Sequence, residues 1–97
     1  DNPLGDGQLA FRVFSALRLR GLVPLLEQIC DLRGVNNYEI LGKGRSRSVC
    51  RARHELWARI RFDPARHYSF LEIARIFECD HSTVHHGIRA HQRRNQP

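Results

Sequence analysis

Lysine is nearly absent from this chain: Lys43 is the single one. Also missing is any apolar run of about 18 residues, the length a membrane-spanning helix requires. The most apolar window, Leu22–Cys30, is shorter and is interrupted by Glu27 and Gln28. The opening stretch DNPLGDGQ has no basic segment ahead of an apolar one, so it does not read as a secretory signal. Cysteine is sparse and odd in number: Cys30, Cys50 and Cys79 lie far apart with no C-x-x-C pair. That argues against a disulfide framework and for reduced thiols in a cytoplasmic protein. No G-x-x-x-x-G-K-S/T pattern is present, which leaves no phosphate cradle for ATP in these residues. No segment alternates with period two and no internal repeat is visible, so the expected fold class is all-α, a small helical bundle.

What is abundant is arginine, and its placement is uneven. Residues 1–41 hold four arginines against five acids, while residues 42–97 hold Lys43 and eleven arginines against five acids. The whole net charge of +6 therefore comes from the second part of the chain. Arginine offers a forked, planar donor set suited to phosphates and guanine edges, so the bias points toward nucleic acid.

Residues 1–8 are turn formers and are expected to be an unstructured lead-in. Leu9–Leu19 is apolar nearly all round and reads as a helix, either packed on the domain or a linker, with Gly21 breaking the pattern. The expected division is an N-terminal extension or linker helix at 1–20 and a helical domain at 21–97. Pro24 suits the first turn of a helix running to Arg33, with Leu22, Leu25, Leu26, Ile29 and Cys30 facing the core and Gly34 as its stop. Val35-Asn36-Asn37 is a turn, and Tyr38–Leu41 is enough for one more helical turn.

Gly42–Ser48, GKGRSRS, is a flexible cationic loop able to approach a phosphate backbone. Ser48 is expected to cap a helix over Val49–Arg61, in which Val49, Ala52, Leu56, Trp57 and Ile60 face inward. Arg51, His54, Glu55, Arg59 and Arg61 fall mostly outward, and Arg53 lies at the margin between core and surface. Asp63-Pro64 ends that helix.

Ser69–Gln92 has the pattern of a helix-turn-helix. Ser69 and Glu72 form a capping box ahead of Phe70–Phe77. A polar turn, Glu78-Cys79-Asp80, follows, with Asp80 as the natural N-cap of the second helix. Val84, Ile88 and His91 share one face of that helix, and His81, Ser82, His85, His86 and Arg89 are spread over the rest.

Two stretches together, KGRSRSVCRAR and D-H-S-T-V-H-H, closely resemble the C-terminal DNA-binding domain of the bacterial replication initiator DnaA. The family pattern joins a basic R-S-R loop-helix to D-H-S/T-T-V-x-H/Y, and the resemblance spans roughly Leu22–Gln92. It implies sequence-specific binding of double-stranded DNA, with the second helix in the major groove and the basic loop in the adjacent minor groove. Asp80, His81, Ser82 and Thr83 match the positions that reach base edges. Arg45 matches the minor-groove arginine. Arg47, Arg51 and Arg53 match positions that hold backbone or base contacts, Arg61 stands where a lysine is common, Lys43 and His54 are expected to bind DNA with them, and His86 matches a supporting position. The family's activity places such a protein in the cytoplasm, on the nucleoid, in DNA replication.

Three departures stand out. Ser82 replaces the usual Thr, Ala52 replaces a frequent Pro, and Phe77-Glu78-Cys79 replaces a turn that usually holds a Gly pair. That turn lacks residues that take positive φ freely. These differences bear on sequence preference more than on DNA binding itself.

The chain fits either a domain of a longer initiator or a module of a phage, mobile-element or transcription-regulatory protein with another target. A helical protein-interaction domain is the other reading, with Phe11, Phe14 and Leu17 as the surface for a partner or a second copy. A metal at His81, His85, His86 and Cys79 lacks a second ligand pair at usable spacing. No cofactor, metal, bound nucleotide or catalytic constellation is expected.

Overall fold

Each helix boundary has a local chemical cause. The computed structural model describes residues 3–96. Helix α1 spans Pro3–Leu19 and ends ahead of Gly21, whose φ is 70°. Residues 3–8 are thus helical and not the unstructured lead-in expected from their composition; residues 1–2 lie outside the described range. Helix α2, Val23–Arg33, carries Pro24 in its first turn and stops at Gly34, which takes the left-handed conformation at φ 66°. Helix α3, Asn37–Leu41, starts where the Asn36 side chain accepts from the Tyr38 amide at 2.7 Å.

Helix α4 spans Arg47–Arg61 and is capped by Ser46, whose hydroxyl accepts from the Val49 amide at 3.3 Å. This corrects the expectation that Ser48 is the cap. Arg47 and Ser48 therefore sit in the first helical turn and not in the loop. Helix α5, Phe70–Phe77, has the capping box complete: the Glu72 amide donates to Ser69 Oγ, and Glu72 Oε1 accepts from the Ser69 amide. Helix α6, His81–Arg94, follows after a three-residue turn.

Helix α4 is the hub, packed against α2, α3, α5 and α6, while α1 lies across α2, α3 and α5. The fully buried aliphatic side chains come from every helix: Val13 and Leu17, Leu26 and Ile29, Ile40, Leu56 and Ile60, Ile73, Val84 and Ile88. Each such side chain contributes roughly 1.5–3 kcal/mol on leaving water. The N-terminal helix is part of this core, since Leu17 is fully buried and Phe14 packs against the cluster; of the three residues considered for a partner surface, Phe11 alone is exposed. The Cα radius of gyration of 12.5 Å is close to the roughly 13 Å of one packed body of this length. No strand occurs among the described residues, and no helix is long and apolar enough to cross a membrane.

Candidate nucleic-acid interface

The basic loop and the mouth of α6 are far apart in sequence and adjacent in space. Lys43, Gly44 and Arg45 form one wall of a shallow groove, and Cys79 and Thr83 form the other, over Arg53 and Trp57. Lys43, Arg45 and Thr83 also line the neighbouring depression, together with Arg75 and Asp80. Lys43 and Arg45 are exposed and have no ion-pair partner among the described residues. His81, Ser82 and Thr83 are exposed along the first turn of α6.

Asp80 departs from its expected role. It occupies the N-cap position, and its backbone carbonyl accepts from the Thr83 and Val84 amides, but its side chain makes no capping bond. The carboxylate is left exposed, free to accept from a ligand. His86 is exposed as well, beside His85, which packs edge-on against Phe70 at 4.8 Å.

Arg53 holds the loop in place. Its guanidinium donates to the carbonyls of Ile40 (2.9 Å), Glu39 (2.9 Å), Gly42 (3.3 Å) and Gly44 (2.9 Å). Those four acceptors are the end of α3 and the start of the basic loop. Burial lowers the pKa of this guanidinium. Gly44 fits the same arrangement, because a Cβ there would sit 3.0 Å from the Glu39 carbonyl. The residue placed by its spacing at the edge of the core thus organises the loop whose cations face outward.

Arg61 and His54 are also engaged within the fold. The Arg61 guanidinium donates to the Tyr68 carbonyl at 3.1 Å and lies over the Phe70 ring at 4.9 Å, so it fastens the α4–α5 connection. His54 is half-buried, 5.7 Å from the Trp57 ring, with Arg94 at its Nδ1. Burial, joined by the charges of Arg94, Arg53 and His91, pushes its pKa down to about 4. It is neutral near pH 7 and brings no charge to the surface.

A pH dependence follows from that shift. Between about 4 and 6.5 the unfolded chain binds a proton at His54 that the folded one excludes. Stability therefore falls as pH drops through that window, and the His54 contribution levels off below it. His54→Gln should flatten this part of the curve. Thermal melts of both proteins from pH 7 to pH 4 check it; parallel curves would contradict it.

A second basic groove, about 640 Å³ in volume, runs between the end of α2, the start of α4 and the end of α6. Arg33, Arg47, Arg51 and Arg94 line it. Its floor holds Glu55, which was expected to point outward and is instead buried. Glu55 accepts from Arg33 at 2.7 Å and from Arg59 at 3.4 Å, and the Arg33 guanidinium holds its carboxyl below the usual range. Arg47 and Arg51, one turn apart on α4, have no acidic partner among the described residues. Like charges at that spacing repel, so the groove favours an anion.

Two features were not found from the sequence. Gly87 is buried where α6 crosses α4, and a Cβ there would lie 2.7 Å from His54 Cδ2 and from Trp57 Cε3 and Cζ3. Glu78, the α5 cap, is the sole non-glycine described residue with positive φ, at 57°. The turn holds no residue type that takes positive φ freely, and the residue that adopts it is a glutamate. Among the described residues, no group of three or more His, Cys, Asp or Glu side chains is placed to hold a metal ion.

No family model, no curated protein and no solved structure matches the chain.

Proposed function

We propose that the chain is a sequence-specific double-stranded DNA-binding module, with α5, the turn and α6 acting as a helix-turn-helix of the kind seen in the C-terminal domain of DnaA. The observation that carries this reading is that Lys43 and Arg45, without an ion-pair partner among the described residues, share two adjoining depressions with Asp80 and Thr83, beside the exposed His81 and Ser82. A helix whose first turn is polar and exposed can enter a major groove, and a cationic loop beside it can follow the adjacent minor groove. Arg47 and Arg51, with Arg94 across the second groove, are further cations that a phosphate backbone could meet. Arg53 and Arg61 support the interface from behind through their carbonyl contacts.

Fluorescence anisotropy with two labelled duplexes tests this. One carries an initiator-type nine-base-pair repeat and the other a scrambled version, each titrated at several salt concentrations. The expected result is tighter binding to the repeat, by more than tenfold, since each well-read base contributes about 1–3 kcal/mol. Equal and steeply salt-dependent binding to both would point to a general or differently targeted DNA binder, such as a regulatory module. Absence of binding to either would favour the protein-interaction reading, for which the exposed Phe11 and Leu19 of α1 are the surface.

Arg45→Ala should weaken binding about tenfold and relax any preference for A·T pairs next to the major-groove site, with the salt slope reduced by about one. An unchanged affinity would remove the loop from the interface.

A further inference from the structure

We infer that Arg12 is a specificity-determining positioning residue: its guanidinium clamps Glu78 in the left-handed conformation and so steadies the turn that presents the exposed first residues of α6. The inference rests on the DNA-reading function proposed above. It begins from an anomaly in the turn. Glu78 sits at φ 57°, ψ 50°, where its Cβ is crowded by the backbone and where glycine is the usual occupant. In that conformation the amides of Glu78 and Cys79 both reach the Ala74 carbonyl, closing the end of α5.

The glutamate side chain is held from across the fold. Arg12 Nε donates to Glu78 Oε2 at 2.8 Å, and Arg12 Nη2 donates to Oε1 at 2.9 Å. This is a two-pronged, charge-assisted pair whose geometry tolerates little rotation of the carboxylate. The guanidinium itself comes from a fixed frame, because Ala10, Val13 and Leu17 seat α1 in the core. Its hydrogen bond, helped by its charge, also holds the Glu78 carboxyl below the usual carboxylate range.

The other end of the turn has no side-chain cap. Asp80 caps α6 through its carbonyl alone, and the next anchor is Val84, fully buried in the core. The exposed residues between the two, His81, Ser82 and Thr83, take their placement from the turn that Glu78 begins. Helix α1, which borders the groove through Leu9, thereby takes part in reading bases without Arg12 touching DNA.

Four versions of the chain test this: unchanged, Arg12→Ala, Glu78→Gly, and the two combined. Glycine takes positive φ without a clamp, so it should make Arg12 dispensable. Two readouts are taken: amide hydrogen exchange at residues 78 and 79, and the ratio of affinities for the repeat-bearing and scrambled duplexes. Arg12→Ala should speed the exchange about tenfold and lower the ratio about three- to tenfold, leaving the salt slope unchanged. In the Glu78→Gly background the same substitution should alter neither readout. Equal effects in both backgrounds, unchanged exchange, or a salt slope reduced by about one would overturn the proposal, the last by making Arg12 a direct phosphate contact. If the unchanged chain does not distinguish the duplexes, the DNA reading fails and the specificity role falls with it. The exchange data then decide the clamp alone.

Discussion

Gly87→Ala should lower the melting temperature, although alanine is the better helix former. Replacing glycine within a helix contributes about 1 kcal/mol in favour of the alanine variant. Against this, the new methyl would meet His54 and the Trp57 ring at 2.7 Å. Trp57 cannot swing aside: it is 4 % exposed, and Phe77 packs edge-on against it at 5.7 Å. Overpacking of this kind costs about 1–3 kcal/mol, so helix α6 must shift on α4. A net loss of several degrees is expected for a domain of this size, and Gly87→Val should lose more. Trp57→Phe opens space at the contact, so it should cost less in the Gly87→Ala background than alone. Melts of the five proteins measure this. A rise in melting temperature for Gly87→Ala would show that the crossing is looser than the contact distances imply.

The other large effect is expected at Arg53. Arg53→Ala removes four hydrogen bonds to carbonyls of residues 39–44 and leaves those acceptors at the edge of the core. Bonds from charged donors contribute roughly 1.5–3 kcal/mol each in isolation, and they overlap here because one side chain makes them all. A loss of about 2–3 kcal/mol is expected, or about 10 °C or more in melting temperature. Arg53→Lys should recover less than half of it, since a compact ammonium cannot reproduce the fork. The loop amides of Lys43, Gly44 and Arg45 should exchange faster in both variants, and DNA affinity should fall with them. If Arg53→Ala weakened DNA binding without changing stability or loop exchange, the residue would belong to the interface and not to its support.

The parts of the fold set by neighbouring residues were readable from the sequence. The Ser69–Glu72 box, the stop at Gly34, the break at Gly21 and the inward positions of α4 each depend on a few adjacent residues. The errors lie where a distant partner decides. Glu55 looks like a surface residue until Arg33, from another helix, is placed beside it. Two serines near the start of α4 can each cap a helix, and Ser46 is the one whose hydroxyl reaches the Val49 amide. Glu78 takes a conformation its own chemistry disfavours, next to an arginine near the other end of the chain. Gly87 looks like a defect in a helix, and its role depends on the ring of Trp57.

The candidate site divides along the same line. The loop cations and the exposed residues at the start of α6 are motif residues, and they could be named directly. Arg53, His54 and Arg61 share the basic character of their neighbours, yet their side chains are turned to carbonyls and rings inside the fold. Charge alone cannot separate an arginine that faces a ligand from one that braces the loop.

If the chain reads DNA as proposed, the basic loop and the mouth of α6 form one binding surface. An amide NMR titration of the labelled chain with the repeat-bearing duplex tests it most directly. The shifts should concentrate at residues 43–48 and 80–86, with smaller ones near Arg51 and Arg94. The face around Leu25, Phe62 and Pro64 should stay unchanged. Shifts centred on that face, or on the exposed side of α1 around Phe11, would contradict it.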